Sequence, residues 1–537
     1  MASPQNDAIS VAEPATVGYG GRVAPAPPPP PPPSITLSST GAATAGGAYA
    51  VTVTAANLTG PLTVTPERVS GPSASFSPTT VLPAPGELVK LFSATAAAAG
   101  TLRLRATAPG SIVSNEIDIV VNAAPAPGPT PPPPPPTLSA FDTGINGVWT
   151  WFTTPVCVYH DGATYFSPVD SSGNSEIHRY DHAMQTTTSF TLSSSPDLDD
   201  HNNGSIEVLD DGKLIAYWAT HYDTAVRFRV STNSGDVSAW GSVQSLTAAS
   251  GSVTYPVPVR LSGAGDKRWL FYRHTNGSGV QSLVYRTSAN FSGGSGSASA
   301  QSDICTTSGA TPYWRIASAG VNRIDVILVN RHPVQGDNEL YHFYATPDGS
   351  NNLKFYKSNG TEITASGPWD IATEATIAVS GEVRRKWIWD VVRNGSEVWV
   401  LWTRFWDFAG TDHRLMFSRC NSSNVWQTPV EIVAQGQYLY AGERYYSPGA
   451  CFDSVDPTTI YLSAPVSGVN QVQRWATTNG GTSWSQQQVY TSGGTAGTPQ
   501  RARPFSPKNH NGQVPVLWWQ GRYTTYLDYD TNIWGAR

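Results

Sequence analysis

The segment TTNGGTSW, from Thr477 to Trp484, is the stretch of sequence that indicates the fold most directly. It fits the turn pattern S-x-D-x-G-x-T-W, with Asn479 in place of the acid and Ser483 in place of the threonine. In this pattern the Asp or Asn side chain accepts hydrogen bonds from turn amides, and the Trp packs between neighbouring sheets. Looser versions occur at Ser231–Trp240 and Ser418–Trp426. Three copies at separations that fit whole sheets favour a β-propeller.

The sequence around these motifs consists of short strands. Residues 138–537 contain all 18 Trp and show no convincing amphipathic helix. Runs such as KLIAYWATH, RWLFYRH, EVWVLWTR and PVLWWQG follow one another, separated by turn residues. A segment of this length exceeds one sandwich, and radial repetition solves the problem of exposed strand edges. We therefore predict an all-β protein in which residues 138–537 form a β-propeller that carries the catalytic site.

Proline-rich segments divide the rest of the chain. Residues 1–33 are expected to be a flexible tail that ends in a polyproline spacer, and residues 124–137 a proline-rich linker. Between them, residues 34–123 contain alternating strands such as AYAVTVTAA and GTLRLRATA at short, regular spacing. This pattern predicts an N-terminal immunoglobulin-like β-sandwich without a catalytic role.

Composition limits the classes of function. The chain has 537 residues, of which 11% are aromatic and only 13% charged, with a net charge of −6 and no run of Lys or Arg. These values argue against a nucleic-acid partner. No apolar run is long enough to span a membrane, and the N-terminus lacks the pattern of a secretion signal. An extracellular or phage-virion location is expected, with the tail and the sandwich docking to a virion or a cell surface.

The cysteines carry little information about function. Cys157, Cys305, Cys420 and Cys451 are widely spaced and include no CxxC pair. Buried free thiols are the preferred interpretation, and one disulfide or a mixed Cys/His metal site is left open.

A family resemblance adds to this pattern. Asp199–Tyr222, DDHNNGSIEVLDDGKLIAYWATHY, resembles the BNR-repeat propeller family that includes the ulvan lyases. The resemblance continues through TYPVPVRL (Thr254–Leu261), KRWLFYR (Lys267–Arg273) and HPVQGDNELYHFY (His332–Tyr344) and covers most of residues 138–537. It implies a seven-bladed propeller that cleaves uronic-acid polysaccharides by β-elimination.

β-Elimination removes the proton α to a uronate carboxylate and expels the 4-linked sugar. It needs a cation that neutralises the carboxylate, a base for the C5 proton and an acid for the leaving oxygen. His201, His221, Tyr255 and Arg273 are the expected catalytic residues, with His and Tyr as base and acid and Arg on the carboxylate. Nearby Arg and His are expected to lower the pKa of Tyr255. No cofactor is required, although a structural Ca²⁺ or Zn²⁺ is left open.

Further residues are expected to bind the polysaccharide. They are Asn202, Arg315, His332, His413, Trp151 and Trp314, with Trp149 as another ring that could stack on a sugar. Two other functions stay open at this point. Asp197, Asp199 and Asp200 raise the possibility of a glycoside hydrolase, although such acids more often cap turns or bind Ca²⁺. A propeller that only binds or adheres to glycan is the second alternative.

Overall fold

The structure is a computed structural model in which the chain forms two compact units, Met1–Pro135 and Pro136–Arg537. The tail and spacer predicted at 1–33 and the linker predicted at 124–137 lie almost wholly outside the described residues and stay predictions. The described residues are 31–39, 43–45, 48–58, 60–83, 89–123, 137–195, 197–264, 267–288, 291, 298–318, 321–350, 352–379, 385–406, 409–436, 438–440, 442–466, 468–490 and 500–537.

The first unit contains two sheets that share one apolar core. Strands alternate buried and exposed residues, so that Ile35, Leu37, Val51 and Val53 point into that core. One sheet has the order β1 (Ser34–Ser38), β3 (Ala48–Ala56), β6 (Val89–Ala96), β5 (Ala74–Ser77). The other has the order β2 (Ala43–Thr44), β9 (Ile117–Asn122), β7 (Gly100–Ala108), β4 (Thr65–Ser70), and β8 (Ile112–Val113) pairs with β7. The immunoglobulin-like arrangement and the boundaries 34–123 stay predictions.

The second unit contains seven sheets among its described residues, each built on an antiparallel run of four strands. Six of them use four strands that are consecutive in the sequence. The first three are β11 (Cys157–His160), β12 (Ala163–Phe166), β13 (Ser175–Asp181), β14 (Thr186–Ser193); β15 (Ser205–Val208), β16 (Leu214–Trp218), β17 (Ala225–Val230), β18 (Gln244–Thr247); and β19 (Ser252–Arg260), β20 (Arg268–Thr275), β21 (Gln281–Ser288), β22 (Ser302–Thr306).

The next three sheets follow the same plan. They are β23 (Tyr313–Ser318), β24 (Ile324–Val329), β25 (Leu340–Pro347), β26 (Leu353–Lys357); β30 (Arg385–Asn394), β31 (Glu397–Phe405), β32 (His413–Cys420), β33 (Val430–Gly436); and β34 (Ala450–Phe452), β35 (Thr459–Val466), β36 (Val469–Ala476), β37 (Ser485–Tyr490). The short strands β27 (Glu362–Ile363) and β28 (Trp369–Asp370) each add to the edge of a sheet, and β29 (Thr376–Ile377) pairs with β25. The helix α1 (Ile371–Glu374) is a single turn.

The seventh sheet joins the two ends of the unit. Strands β38 (Gln500–Phe505), β39 (Val516–Thr525) and β40 (Asp528–Ala536) are completed by β10 (Ala140–Asn146), which pairs with β40. Pairing the first strand of the unit with the last one closes the ring and leaves no free edge at the junction. The predictions of an all-β fold and of a β-propeller are confirmed.

The turn motifs act as expected. In Thr477–Trp484, the side chain of Asn479 accepts a hydrogen bond from the Ser483 amide at 3.0 Å. Trp484 then packs on Trp399 and Phe417, which belong to the neighbouring sheet. The motif therefore joins two sheets and has a structural role.

The four cysteines of the chain all lie in the second unit. All four cysteines are buried free thiols, as preferred from the sequence. None of the helices in the described part of the chain has the length and apolarity needed to cross a membrane.

A buried ion cluster provides a test of propeller stability. Asp325, fully buried, contacts Arg323 at 2.7 Å, Arg393 at 2.8 Å and His342 at 3.1 Å. Asp325→Ala removes the carboxylate that compensates two guanidinium groups, and we expect the free energy of unfolding to fall by about 3–5 kcal/mol.

Denaturant unfolding followed by Trp fluorescence measures this loss, because all 18 Trp lie in the second unit. Asp337→Ala is the matched control, since Asp337 is exposed and its ion pair with Arg385 spans 3.7 Å. Equal stability of the two variants would contradict the assignment of a stabilising role to Asp325.

Candidate active site

A cavity of about 130 Å³ lies where loops and strand starts from several sheets converge. Its lining includes two of the predicted catalytic histidines, one histidine predicted to bind the polysaccharide, and many aromatic rings. The lining residues are Phe152, His201, His221, Tyr222, Tyr255, Tyr313, His332, Trp387, Tyr440, Glu443, Tyr446 and Tyr526. We call this the central cavity. Because it gathers residues that the sequence predicted to be catalytic and substrate-binding, the central cavity is the candidate active site.

His201 and His221 form one network around Asp199. His201 lies in a short helical turn, Asp200–Asn202, which Asp199 caps by accepting from the His201 amide. Its Nδ1 lies 2.5 Å from Asp199 Oδ1 and 3.0 Å from Asp200 Oδ1. His221 follows β16, and its Nδ1 lies 3.2 Å from Asp199 Oδ2. The two imidazole rings stack with their centres 4.1 Å apart.

The network shifts the pKa values of the two imidazoles in opposite directions. Burial lowers the pKa of His201, but the charges of Asp199 and Asp200 outweigh burial and raise that pKa to about 9. Burial and the neighbouring charge of His201 lower the pKa of His221 below its usual value. Burial opposes ionisation of Asp199, yet the charge of His201 and the hydrogen bonds of both histidines hold its pKa well below the usual range. At neutral pH the pair is thus one imidazolium and one imidazole.

Tyr255 reaches the central cavity through an irregularity in β19. The register of β19 against β20 shifts between Thr254 and Val257, where Tyr255 and Pro256 of β19 face the single residue Tyr272 of β20. This is a β-bulge, and it places Tyr255 in the left-handed region at φ 60°. Such backbone strain in a residue with a bulky side chain is concentrated at functional sites.

The pKa of Tyr255 is shifted in the direction opposite to the one predicted from the sequence. Burial raises it well above its usual value, and the charge of Arg273 only partly opposes that effect. The expectation of a lowered pKa is therefore wrong, because a phenolate in this packed aromatic environment has too little solvation. Tyr255 is a neutral phenol that can donate a proton.

Arg273 lies behind the aromatic wall and not at the mouth of the cavity. Only 2% of the residue is exposed. Its guanidinium carbon is 4.7 Å from the ring centre of Tyr255 and 5.2 Å from that of Tyr313. The apolar strand that carries Arg273 runs through the packed interior, so the guanidinium does not line the central cavity. Its charge acts on the cavity through the two tyrosines.

The opposite wall of the cavity holds a second charged network. His332 Nε2 lies 2.5 Å from Glu443 Oε1, and the hydroxyl of Tyr440 donates to Glu443 Oε2 at 2.7 Å. Burial raises the pKa of Glu443, but hydrogen bonding and the charge of His332 outweigh it, so that this pKa lies below its usual value. The structure thus places His332 in the cavity, where the sequence predicted a substrate-binding residue.

Four predicted binding residues lie elsewhere. Arg315 pairs with Asp390 at 2.6 Å and lines a separate cavity of about 270 Å³. His413 is fully buried, with its Nε2 2.9 Å from the Arg444 carbonyl oxygen. Trp151 and Trp314 are buried among other rings and line neither wall of the central cavity, and Trp149 is buried as well. The structure therefore differs from the prediction for Arg315, His413, Trp151 and Trp314, because these side chains pack against neighbouring strands and rings and do not line the central cavity.

Asn202 is buried beside the two histidines and holds their loops together by hydrogen bonds. Its Oδ1 accepts from the His221 amide at 3.3 Å, and its Nδ2 donates to the Asp197 carbonyl oxygen at 3.1 Å. It also borders a second, open cavity of about 460 Å³ that shares His221, Tyr222 and Tyr526 with the central one. Asn202 therefore connects the loops that carry the two histidines.

Sequence reasoning missed several residues of the central cavity. Tyr313, Tyr440, Glu443 and Tyr526 line it but carry no motif of their own. Tyr440 and Glu443 come from the segment before β34, and Tyr526 from the turn before β40. The dense run of tyrosines at Tyr438–Tyr446 was the available signal, although its meaning depends on where that loop folds.

One group of residues could hold a metal ion among those described. Ligand atoms of Asp199, His201 and His221 lie within 4.8 Å of one another. The same Nδ1 and carboxylate atoms bond to each other across the network, so a metal would replace those hydrogen bonds.

Comparison with known protein families gives a match in the central segment of the chain. Residues 163–428 match the family described as "BNR repeat-containing family member". This match confirms the resemblance found in the sequence, and the matched segment includes His201, His221, Tyr255 and Arg273. Glu443 and Tyr526 lie beyond the matched residues.

Solved structures share the fold over about three quarters of the chain. One is an ulvan lyase from a new family of polysaccharide lyase, with 13% identity and a TM-score of 0.55, covering 73% of this chain and 93% of that one. The same type of enzyme bound to -[GlcA(1-4)Rha3S]- gives 13% identity, a TM-score of 0.54 and the same coverage. At this identity the likeness shows the fold alone. No curated protein sequence matches the chain.

Proposed function

We propose that this protein is a polysaccharide lyase that cleaves a uronic-acid-containing polysaccharide by β-elimination. The observation that carries the proposal is the grouping of an imidazolium, a neutral imidazole and a neutral phenol around one cavity. The two histidines flank one hairpin, Tyr255 comes from the next sheet, and together the three groups match the three requirements of the reaction. No cofactor is needed for the steps below.

Neutralisation of the uronate carboxylate is the role of His201. Its imidazolium is held charged by Asp199 and Asp200, and 9% of the residue is exposed at the cavity. Arg273 adds a second positive charge behind Tyr255 and Tyr313. Positive charge aimed at the carboxylate stabilises the enolate-like transition state, which makes the C5 proton easier to remove.

His221 is the base in this proposal. Its Nδ1 proton donates to Asp199, which leaves the lone pair on Nε2. Nε2 takes the C5 proton, the electron pair of that C–H bond forms the C4=C5 double bond, and the C4–O bond breaks. Tyr255 gives its hydroxyl proton to the leaving oxygen. Proton transfer from His221 to the phenolate, through solvent, restores the resting state.

The charge states of the carboxylates argue against hydrolysis. A glycoside hydrolase of the usual type needs one protonated carboxylic acid beside one carboxylate. Asp199 and Glu443 both have pKa values below their usual range, because histidines pair with them. Both are therefore ionised at neutral pH, and neither suits the role of general acid.

The decisive experiment is incubation with a panel of acidic polysaccharides while ultraviolet absorbance from unsaturated uronate ends is followed. We expect that absorbance to rise with at least one polymer. New reducing ends without the absorbance would indicate a hydrolase, and binding without either signal would indicate an adhesion protein. An extracellular or virion location, with docking through the N-terminal tail and sandwich, belongs to the same proposal.

The pH dependence follows from the two histidines. Activity requires His221 neutral and His201 charged, so kcat/KM should rise as pH passes the lowered pKa of His221, below 6.5, and fall as pH passes about 9. In His201→Gln, kcat/KM should be about 10²–10³-fold lower and the alkaline limb should disappear. A rate profile with an unchanged alkaline limb in this variant would contradict the role of His201.

A further inference from the structure

The open cavity beside the central one has a distinct charge. We call it the outer subsite; it is lined by Asp197, Leu198, Asp199, Asn202, Thr220, His221, Tyr222, Tyr526 and Leu527. None of these is a Lys or an Arg. Asp197 is exposed and has no ion pair among the described residues. The outer subsite therefore presents an uncompensated carboxylate, whereas the carboxylate of Glu443 in the central cavity is paired with His332 and the imidazolium of His201 lies in the same lining.

The other walls of the outer subsite suit a sugar ring. Tyr222 is 59% exposed and Leu527 48% exposed, which gives an apolar surface unusual for residues of these types. Thr220 offers a hydroxyl, and a carboxylate such as that of Asp197 accepts hydrogen bonds from sugar hydroxyls. Aromatic surface combined with hydroxyl acceptors is the chemistry that binds an uncharged sugar.

The position of the outer subsite connects it to the reaction. It shares His221, Tyr222 and Tyr526 with the central cavity, so a sugar bound there is a neighbour of the uronate in the same chain. A sulfate or a second uronate in this place would face Asp197 and Asp199 with no cation among the lining residues. The negative charge of a sulfate or uronate bound in the outer subsite would be repelled by these carboxylates, and added salt would screen that repulsion.

We propose that the outer subsite binds an uncharged, unsulfated sugar, and that the substrate is a polysaccharide in which the uronate is flanked by neutral sugars. The inference rests on the proposed lyase function and adds the substrate class to it. The carboxylate of Asp197 also fixes the register of the polymer, because a uronate shifted by one sugar into the outer subsite would meet that charge.

The test compares one polymer before and after chemical removal of sulfate. Native ulvan, with its -[GlcA(1-4)Rha3S]- repeat, and desulfated ulvan are supplied at equal uronate concentration, and initial rates are read from ultraviolet absorbance. We expect at least about tenfold faster cleavage of the desulfated polymer at low salt, and a smaller ratio at high salt. The same comparison is made with other sulfated and unsulfated members of the panel.

Asp197→Asn tests the origin of the preference. This variant keeps the side-chain shape and removes the charge, so the ratio of desulfated to native rates should fall severalfold. Asp161→Asn is the matched control, because Asp161 is exposed in the turn before β12 and lines neither cavity. Its ratio should equal that of the unchanged protein.

The outcomes separate the two proposals. Sulfated polymers cleaved as fast as, or faster than, their unsulfated forms would overturn the outer-subsite inference and leave the lyase proposal standing. An unchanged ratio in Asp197→Asn would do the same. Absence of unsaturated ends with every polymer of the panel would overturn the lyase proposal itself.

Discussion

Tyr255→Phe is expected to lower the turnover of uronate polysaccharide by about 10²–10⁴-fold, because it removes the proton that the leaving oxygen needs. The ring stays in place against Phe152, Trp314 and the guanidinium of Arg273, so the packing of the site is retained. KM should change much less than kcat. Unsaturated-end absorbance under saturating substrate measures the effect.

Tyr356→Phe serves as the control for this substitution. Tyr356 stacks on Tyr344 with ring centres 5.0 Å apart, in β26, and it does not line the central cavity. It loses the same hydroxyl and should keep full activity. If Tyr255→Phe retains the activity of Tyr356→Phe while both remain folded by Trp fluorescence, Tyr255 is not the acid.

His221→Gln is expected to lower kcat by a similar factor, about 10²–10⁴, because an amide cannot take the C5 proton. Gln can still donate a hydrogen bond to Asp199, which limits the disturbance of the network around His201. The acidic limb of the pH profile should disappear, since that limb reports the protonation of His221. The measurement is kcat from absorbance across pH 5 to 10.

His160→Gln is the matched control, because His160 lies at the end of β11 and borders neither the central cavity nor the outer subsite. A variant His221→Gln with the full acidic limb would move the role of base to another group. The pH dependence of kcat in this variant would then give the pKa of the group that acts as base.

Much of the fold could be predicted from local sequence patterns. The period-two strands, the turn residues and the Thr477–Trp484 motif each act over a few residues, and the structure keeps them as predicted. The block Asp199–Tyr222 likewise places His201 and His221 in one neighbourhood, because a single hairpin separates them. The closing of the ring by β10 had no local signal, since it pairs residues from opposite ends of the unit.

The sequence by itself determined the all-β fold, the propeller, and the histidines and tyrosine of the candidate site. The tertiary structure decided which side chains face the central cavity and in which protonation state. It buried Arg315 and His413 away from the site and brought Glu443 and Tyr526 into it from distant loops. Strand patterns depend on neighbours in sequence, whereas burial and pKa depend on charges and packing that meet only when the ring closes.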